Sequence, residues 1–224
     1  MQDPPMICLL AGFVLPYIYT YRMTTIIAIQ HEDWCLIAAD SQTTGYELAG
    51  DCSSMGKIAL NGDYLVSAAG LVRGMNLIQH ALLPPKAPKV KDLNKLDKFI
   101  VNQFVPKLRQ TFIKSGYDMK DDGDIAQHDN DFIIAVNGII YFLDESYAIE
   151  RMNDKLYATG TGMKLALGAA YALGIQDCDD YDEAIDILER AVKAAIRYDI
   201  YSGGRIQVAL QTKDGSNFMT TLDE

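Results

Sequence analysis

Histidine, paired cysteine and clustered basic charge are scarce in this sequence, and each shortage removes a class of function. His31, His80 and His128 are its three histidines. They sit in unlike contexts, so no Ser-His-Asp arrangement can be argued from them, and no Gly-x-Ser-x-Gly elbow occurs. The base of any hydrolytic reaction is therefore not obviously histidine. Cys8, Cys35, Cys52 and Cys178 are scattered and lack Cys-x-x-Cys spacing. That argues against a zinc site and reads as reduced thiols of a cytoplasmic protein. Thirty acidic against 20 basic residues give a net charge of −10. That balance argues against a phosphate-binding surface, which needs clustered Lys and Arg, so nucleic acid is not an expected partner. The longest apolar run, residues 6–21, is broken by Pro16 and falls short of the roughly 20 residues a spanning helix needs. Met1 to Pro5 carry Asp3 and no basic residue, and no Ala-x-Ala-like site follows, so neither a membrane segment nor a signal peptide is favoured.

What is present is apolar substance in short, punctuated runs. Apolar residues make up 49% of 224, enough for one good core. Strands are expected at Thr24 to Ile29 and Trp34 to Ala39, joined by the polar turn His31-Glu32-Asp33. Asp40 to Gly45 reads as a loop leaving the sheet, followed by an irregular polar stretch to Gly56. Lys57 to Leu60 and Tyr64 to Ala69 form a second pair around Asn61-Gly62-Asp63. Helical spacing follows from Gly70 to Leu83, ended by Pro84-Pro85. A second helix carries Leu93, Leu96, Ile100, Phe104 and Leu108 as its stripe, with Pro106 as a potential kink.

Asp131 to Val136 and Ile139 to Leu143 flank Asn137-Gly138, the strongest hairpin signal in the chain, and a further strand runs from about Leu156 to Thr159. Helices are expected from about Met163 to Leu173 and from Tyr181 to Tyr198. In the latter Ala184, Ile185, Leu188, Ala191, Val192 and Ala195 share a face. Strands at Ile206 to Leu210 and Phe218 to Leu222 close the chain. Strands, two helices, strands, two helices, strands assemble as an α+β fold: a four-layer α-β-β-α sandwich of mostly antiparallel sheets.

Two look-alike motifs carry little. Gly160-Thr161-Gly162 lacks the third glycine of a dinucleotide fingerprint and no phosphate-binding lysine follows it. Asp118 to Gly123 partly imitates a calcium loop, but Lys120 stands where an oxygen ligand is needed, so the segment reads as a surface loop. No cofactor and no metal is expected.

The junction Met23-Thr24 draws the rest together. Residues 1–23 read as a leader, either a propeptide or sequence upstream of a true start at Met23, and residues 24–224 as one domain. Either way the working chain begins at Thr24, whose α-amine then lies beside its own hydroxyl. Such an amine can take the hydroxyl proton if nearby charges set its pKa near the working pH. A lysine within reach does so by like-charge repulsion, and a carboxylate orients the lysine. Asp40 and Lys57, at strand ends, are candidates for these parts.

Thr24-Thr25-Ile26, Ala38-Ala39-Asp40, Gly56-Lys57, Ala69-Gly70, Gly160-Thr161-Gly162 and Arg197-Tyr198-Asp199-Ile200-Tyr201-Ser202-Gly203-Gly204 together resemble the proteasome β-subunit and the related bacterial peptidase HslV. The resemblance runs from Thr24 to about Gly215. Asp40 follows Thr24 by 16 residues, as in the family. Lys57 follows by 33, one more than usual, which asks for a one-residue insertion between Gly45 and Ser54.

The resemblance implies the N-terminal-nucleophile hydrolase fold and a threonine endopeptidase. In it Thr24 is the nucleophile, Lys57 holds its hydroxyl acidic, and Asp40 pairs with Lys57. Asp199 and Ser202 support the amine and its water, Thr161 adds a hydroxyl near the amine, and Gly70 offers its N–H to the oxyanion. It further implies self-association into rings, unfolded polypeptides as substrates, and an ATP-dependent unfoldase or proteasome α-like ring as partner. Two positions depart from the family. Threonine replaces the frequent serine at 161, and Met23 stands where self-cleaving subunits have glycine. An amidase of the same class acting on a small amide, and a non-catalytic ring subunit, remain the alternatives.

Overall fold

The computed structural model describes residues 22–45, 48–51, 56–90, 92–118 and 126–222. The apolar run at 6–21 and most of the calcium-loop look-alike fall outside the described residues. In chain order the first half supplies β1 (Ile26–Gln30), β2 (Trp34–Asp40), β3 (Gln42–Gly45), β4 (Leu48–Asp51), β5 (Ile58–Asn61), β6 (Tyr64–Gly70), α1 (Val72–His80), α2 (Leu93–Phe99) and α3 (Val105–Lys114). The second half supplies β7 (Asn130–Val136), β8 (Ile139–Leu143), β9 (Ile149–Glu150), β10 (Leu156–Thr159), α4 (Met163–Ala172), α5 (Tyr181–Tyr198), β11 (Ile206–Thr212) and β12 (Asn217–Leu222).

Alternation along the strands makes the layers. Successive strand residues point to opposite faces. In β1 and β2, Ile27, Ile29, Leu36 and Ala38 join one apolar cluster, whereas Ile26, Ala28, Ile37 and Ala39 join another. Both faces of these strands are covered, which is why the runs read as continuously apolar. β7 divides likewise: Phe132, Ile134 and Val136 on one side, Ile133 and Ala135 on the other.

Three clusters between four layers result, with α4 and α5 over the sheet ordered β10-β1-β2-β11-β12 and α1 to α3 over the sheet ordered β5-β6-β7-β8-β9. Neighbouring strands in both sheets are antiparallel. The fold is the α+β sandwich expected from the sequence.

α5 has the local signals to match its length. The side chain of Asp180 accepts the N–H groups of Asp182 and Glu183, and those two acids occupy the positive end of the helix dipole. Its buried stripe, Ala184, Ile187, Leu188, Ala191, Val192 and Ala195, follows the helical period.

The structure corrects three expectations. Residues 42–45 and 48–51 are not irregular: β3 and β4 pair as a two-stranded ribbon. Gln-Thr-Thr-Gly and Leu-Ala-Gly-Asp carry no alternation to betray this, and the ribbon is anchored from outside, by Ser41 and Gln42 N–H groups donated to the Gly203 carbonyl. The single helix expected around Pro106 is two helices, and the irregularity lies ahead of the proline. Residues 100–104 form a π turn between α2 and α3, in which the Val105 N–H reaches back to the Ile100 carbonyl. Widening by one residue there accommodates a proline that has no N–H to donate. Leu93, expected in the buried stripe, is exposed, while Leu96, Ile100, Phe104, Leu108 and Phe112 are buried.

Candidate active site

Strand ends of both sheets converge at one end of the sandwich. Thr24 and Thr25 lead into β1. Because β2 runs antiparallel to β1 with Ala39 opposite Ile26, Asp40 arrives beside Thr25, whose carbonyl accepts the Asp40 N–H. β10 ends with Thr159 opposite Ile26, which sends Gly160 to Gly162 across the backbone of Thr24. α5 stops at Tyr198, and Asp199 to Gly203 drop toward the same place before β11 begins. From the other sheet, Lys57 stands just ahead of β5 and Gly70 ends β6.

At the centre, the Thr24 hydroxyl donates to Oδ1 of Asp40 at 2.5 Å and accepts from Nζ of Lys57. Lys57 Nζ also lies 2.7 Å from the same Asp40 oxygen. Asp40 is fully buried, and five donors converge on it. Oδ1 takes Thr24, Lys57 and the Thr25 N–H, and Oδ2 takes the N–H groups of Gln42 at 3.2 Å and Gly203 at 3.0 Å. A carboxylate held by this many donors has one orientation, and through it the lysine and the threonine have one each. Removing either member of such a buried ion pair costs about 3–5 kcal/mol.

A second network lies on the backbone side of Thr24. Asp199 Oδ2 accepts the hydroxyls of Thr161 at 2.7 Å and Ser202 at 2.6 Å. Since Ser202 spends its proton on Asp199, the Thr25 hydroxyl, 2.7 Å away, is the donor in the Thr25–Ser202 bond. Thr161 Oγ1 reaches the Thr24 carbonyl only at 3.5 Å, a weak contact. This network therefore meets Thr24 through its carbonyl and through Thr25, not at its hydroxyl.

The Gly-Thr-Gly loop serves close approach. A Cβ on Gly160 would stand 2.1 Å from the Thr24 carbonyl oxygen, and one on Gly162 would stand 1.9 Å from the Thr25 hydroxyl. The loop N–H groups grip the chain on either side of Met23, Thr161 to the Arg22 carbonyl at 3.0 Å and Gly162 to the Thr24 carbonyl at 3.3 Å. In the described chain the Thr24 nitrogen is joined to Met23, so this is the arrangement before any cleavage at that bond.

Gly70 has φ +126°, and a Cβ there would come within 2.1 Å of the Asp129 carbonyl, so glycine is required. It lines a cavity of about 100 Å³ with Thr24, Lys57, Ala68, Leu71 and Met75.

Thr24, Lys57 and Gly70 thus line one cavity, with Asp40 buried behind Thr24 and Lys57, while Thr161, Asp199 and Ser202 form the adjacent network. Sequence reasoning missed the residues that hold these in place. Gln207 accepts the N–H of Lys57 and fixes where that side chain begins. Asn130 donates to the carbonyls of Ala69 and Leu71, clamping the turn at Gly70. Gly203 N–H binds Asp40, and the repeated Gly203-Gly204 after Ser202 was the one sequence signal available for it.

Neither described cysteine competes as a nucleophile. Burial pushes the Cys35 thiol up to about 12, and burial likewise raises Cys178. Among the described residues the Thr24 hydroxyl and the Asp40 carboxylate have no histidine partner, and no cluster suited to a metal occurs. No described helix is long and apolar enough to cross a membrane.

No protein-family model matches the chain. Among curated proteins it is 38% identical over 76 residues to proteasome subunit beta 1 of Thermococcus gammatolerans, 34% of this chain and 36% of that protein. It is 26% identical to the proteasome subunit beta of Nanoarchaeum equitans across 86% of this chain and 95% of that protein. The first match spans about a third of its relative's length, and the second nearly all of it. Among solved structures, Thiobacillus denitrificans BPH superposes with a TM-score of 0.67 at 22% identity, covering 84% of this chain and 98% of that one. The same protein in complex with Epoxomicin gives 0.64 at 21% identity over 90% and 100%. These likenesses of structure establish the fold. In sequence the chain is similar to proteasome β subunits.

Proposed function

We propose that this proteasome β-type chain is a threonine endopeptidase in which Thr24, freed of the residues up to Met23, is the nucleophile. The observation that carries the reading is the Thr24 hydroxyl held between Lys57 Nζ and Asp40 Oδ1, with cavity space beside it. An ammonium in contact with a hydroxyl favours its alkoxide, and the free α-amine, directly or through a water, takes the proton. Thr24 Oγ1 then attacks the substrate carbonyl, and the Gly70 N–H receives the developing oxyanion. An oriented donor of that kind contributes about 3–4 kcal/mol to lowering a hydrolytic barrier.

Collapse of the tetrahedral intermediate passes the proton to the leaving amine and leaves an acyl ester on Thr24. Water, deprotonated by the same amine, attacks the ester and restores the threonine. Asp199, Ser202 and Thr161 hold the amine side of the site, and Thr161 acts there through Asp199.

Residues 24–224 act as one peptidase domain, in the cytoplasm, within a self-associating ring whose sites face an enclosed space. The substrates are unfolded polypeptides, delivered by an ATP-dependent unfoldase or an α-like ring. The proteasome β relatives support this reading. Release of peptides from unfolded casein by the chain beginning at Thr24, and its loss in Thr24→Ala, tests the reading. Equal hydrolysis by Thr24→Ala would sink it, and assembly without hydrolysis by either form would favour a non-catalytic ring subunit.

A further inference from the structure

Two residues ahead of Thr24 the chain is held by a side chain as well as by its backbone. Arg22 sets Nη1 2.8 Å from Oδ2 of Asp131 and Nη2 2.5 Å from Oε2 of Glu145. Its carbonyl accepts the Thr161 N–H. Asp131 lies in β7 opposite Ala69, one residue from the Gly70 turn, and its Oδ2 also accepts the hydroxyl of Thr159, which sits opposite Ile26 at the end of β10. The seat of the guanidinium is therefore built from both sheets, next to the strand that carries Thr24. The Asp131 side chain is 7% exposed and that of Glu145 35%, so the seat is closed at its floor and open at one wall.

The charges here are out of balance without Arg22. Burial pushes the Asp131 carboxyl above the ordinary carboxylate range, with Glu145 and Asp144 adding to the push and Arg22 opposing it. Burial and Glu145 raise Asp129 in the same way, again against Arg22. Processing at Thr24 removes that guanidinium from among these carboxylates. A buried carboxylate without a counter-charge is strongly unfavourable, so the emptied seat selects for a cation.

We propose that Asp131 and Glu145 form a cation-binding subsite beside the nucleophile, filled by Arg22 in the uncleaved chain and by an arginine or lysine side chain of the polypeptide substrate after cleavage. The inference rests on the threonine-peptidase reading. Two nitrogens of one planar group meeting two carboxylates favour arginine over lysine, whose ammonium is a point charge. The Thr161 N–H, vacated by the Arg22 carbonyl, is left as a donor for the backbone of the same bound polypeptide.

The test uses the chain beginning at Thr24 and two readouts. In thermal unfolding, millimolar argininamide raises the midpoint while norleucinamide does not, and Asp131→Asn removes the difference. In hydrolysis, peptides identical except for arginine or norleucine at each position around the scissile bond show one position where arginine raises kcat/KM by about tenfold or more, equivalent to about 1.4 kcal/mol. That ratio falls toward one in Asp131→Asn and in Glu145→Gln. Absence of an arginine-specific shift overturns the proposal, as does a ratio that both variants leave intact. A specific shift from a chain that hydrolyses nothing keeps the subsite and rejects the peptidase reading, so the two fail separately.

Discussion

The side-chain oxygen of Gln207, in β11 of one sheet, accepts the backbone N–H of Lys57 at 2.5 Å and of Ile58 at 3.3 Å at the start of β5 in the other. One amide thus bridges the two sheets and sets the point from which Lys57 reaches toward Thr24. Gln207→Leu leaves two N–H groups without that acceptor, a cost of about 1–3 kcal/mol. Misplacing a reacting group by even an ångström slows catalysis far more than it weakens substrate binding, so kcat is expected to fall about tenfold or more with KM little changed. Gln207→Glu keeps an acceptor and should retain most of the rate. Steady-state kinetics of the two variants check this, and equal falls in both would assign Gln207 a purely structural part.

Lys57→Ala leaves Asp40 fully buried without its cation. The expected outcome is a loss of about 3–5 kcal/mol in unfolding free energy together with loss of peptide hydrolysis. Denaturant unfolding and hydrolysis, measured on the same preparation, report both. Unchanged stability would mean that the pair is not formed as described.

Gly160→Ala puts a methyl 2.1 Å from the Thr24 carbonyl oxygen at a residue with φ +93°. Neither the backbone oxygen nor the dihedral yields cheaply, so destabilisation by about 2 kcal/mol or more is expected, with loss of activity even where folded protein is recovered. Gly168→Ala, in α4 with nothing within 4 Å of the added carbon, serves as the control and should be neutral to stabilising.

His128 gives a pH signature of its own. Its Nδ1 accepts the Asn130 N–H, and its Nε2 is buried without a hydrogen-bond partner among the described residues. In the chain that carries Arg22, burial lowers its pKa to about 4, against the pull of Asp144 and Asp118 and with a smaller push from Arg22. A histidine with a depressed folded pKa takes up its proton first in the unfolded chain. Stability is therefore lost as pH falls from about 6.5 to about 4, by up to about 3 kcal/mol, and this contribution stops changing below that window. His128→Phe should flatten the unfolding free energy across that window, whatever its effect on absolute stability. Identical slopes in the two proteins would contradict the assignment.

Local signals carried most of the fold. Tyr181–Tyr198, with its Asp180 cap and regular stripe, and the Asn137-Gly138 hairpin were legible because propensity, period and turn chemistry agree there. The β3–β4 ribbon was not, because the carbonyl that anchors its start belongs to Gly203, more than 150 residues away in sequence. The π turn at residues 100–104 was hidden because helical spacing looks the same on either side of it. At the site, the charged and hydroxyl groups could be named from spacing. Gln207 and Asn130 could not, since an amide that serves distant backbone N–H or C=O groups has no sequence pattern of its own.

The account turns on whether Thr24 carries a free amine and reacts. Intact mass of the purified protein before and after treatment with a peptide vinyl sulfone, with the adduct mapped by fragmentation, tests this most directly. The expected result is a chain beginning at Thr24 that gains one inhibitor mass on its first residue, with no gain in Thr24→Ala or Lys57→Ala. A stable chain that retains residues 1–23, or a Thr24-initiated chain that gains no adduct on Thr24, would contradict it.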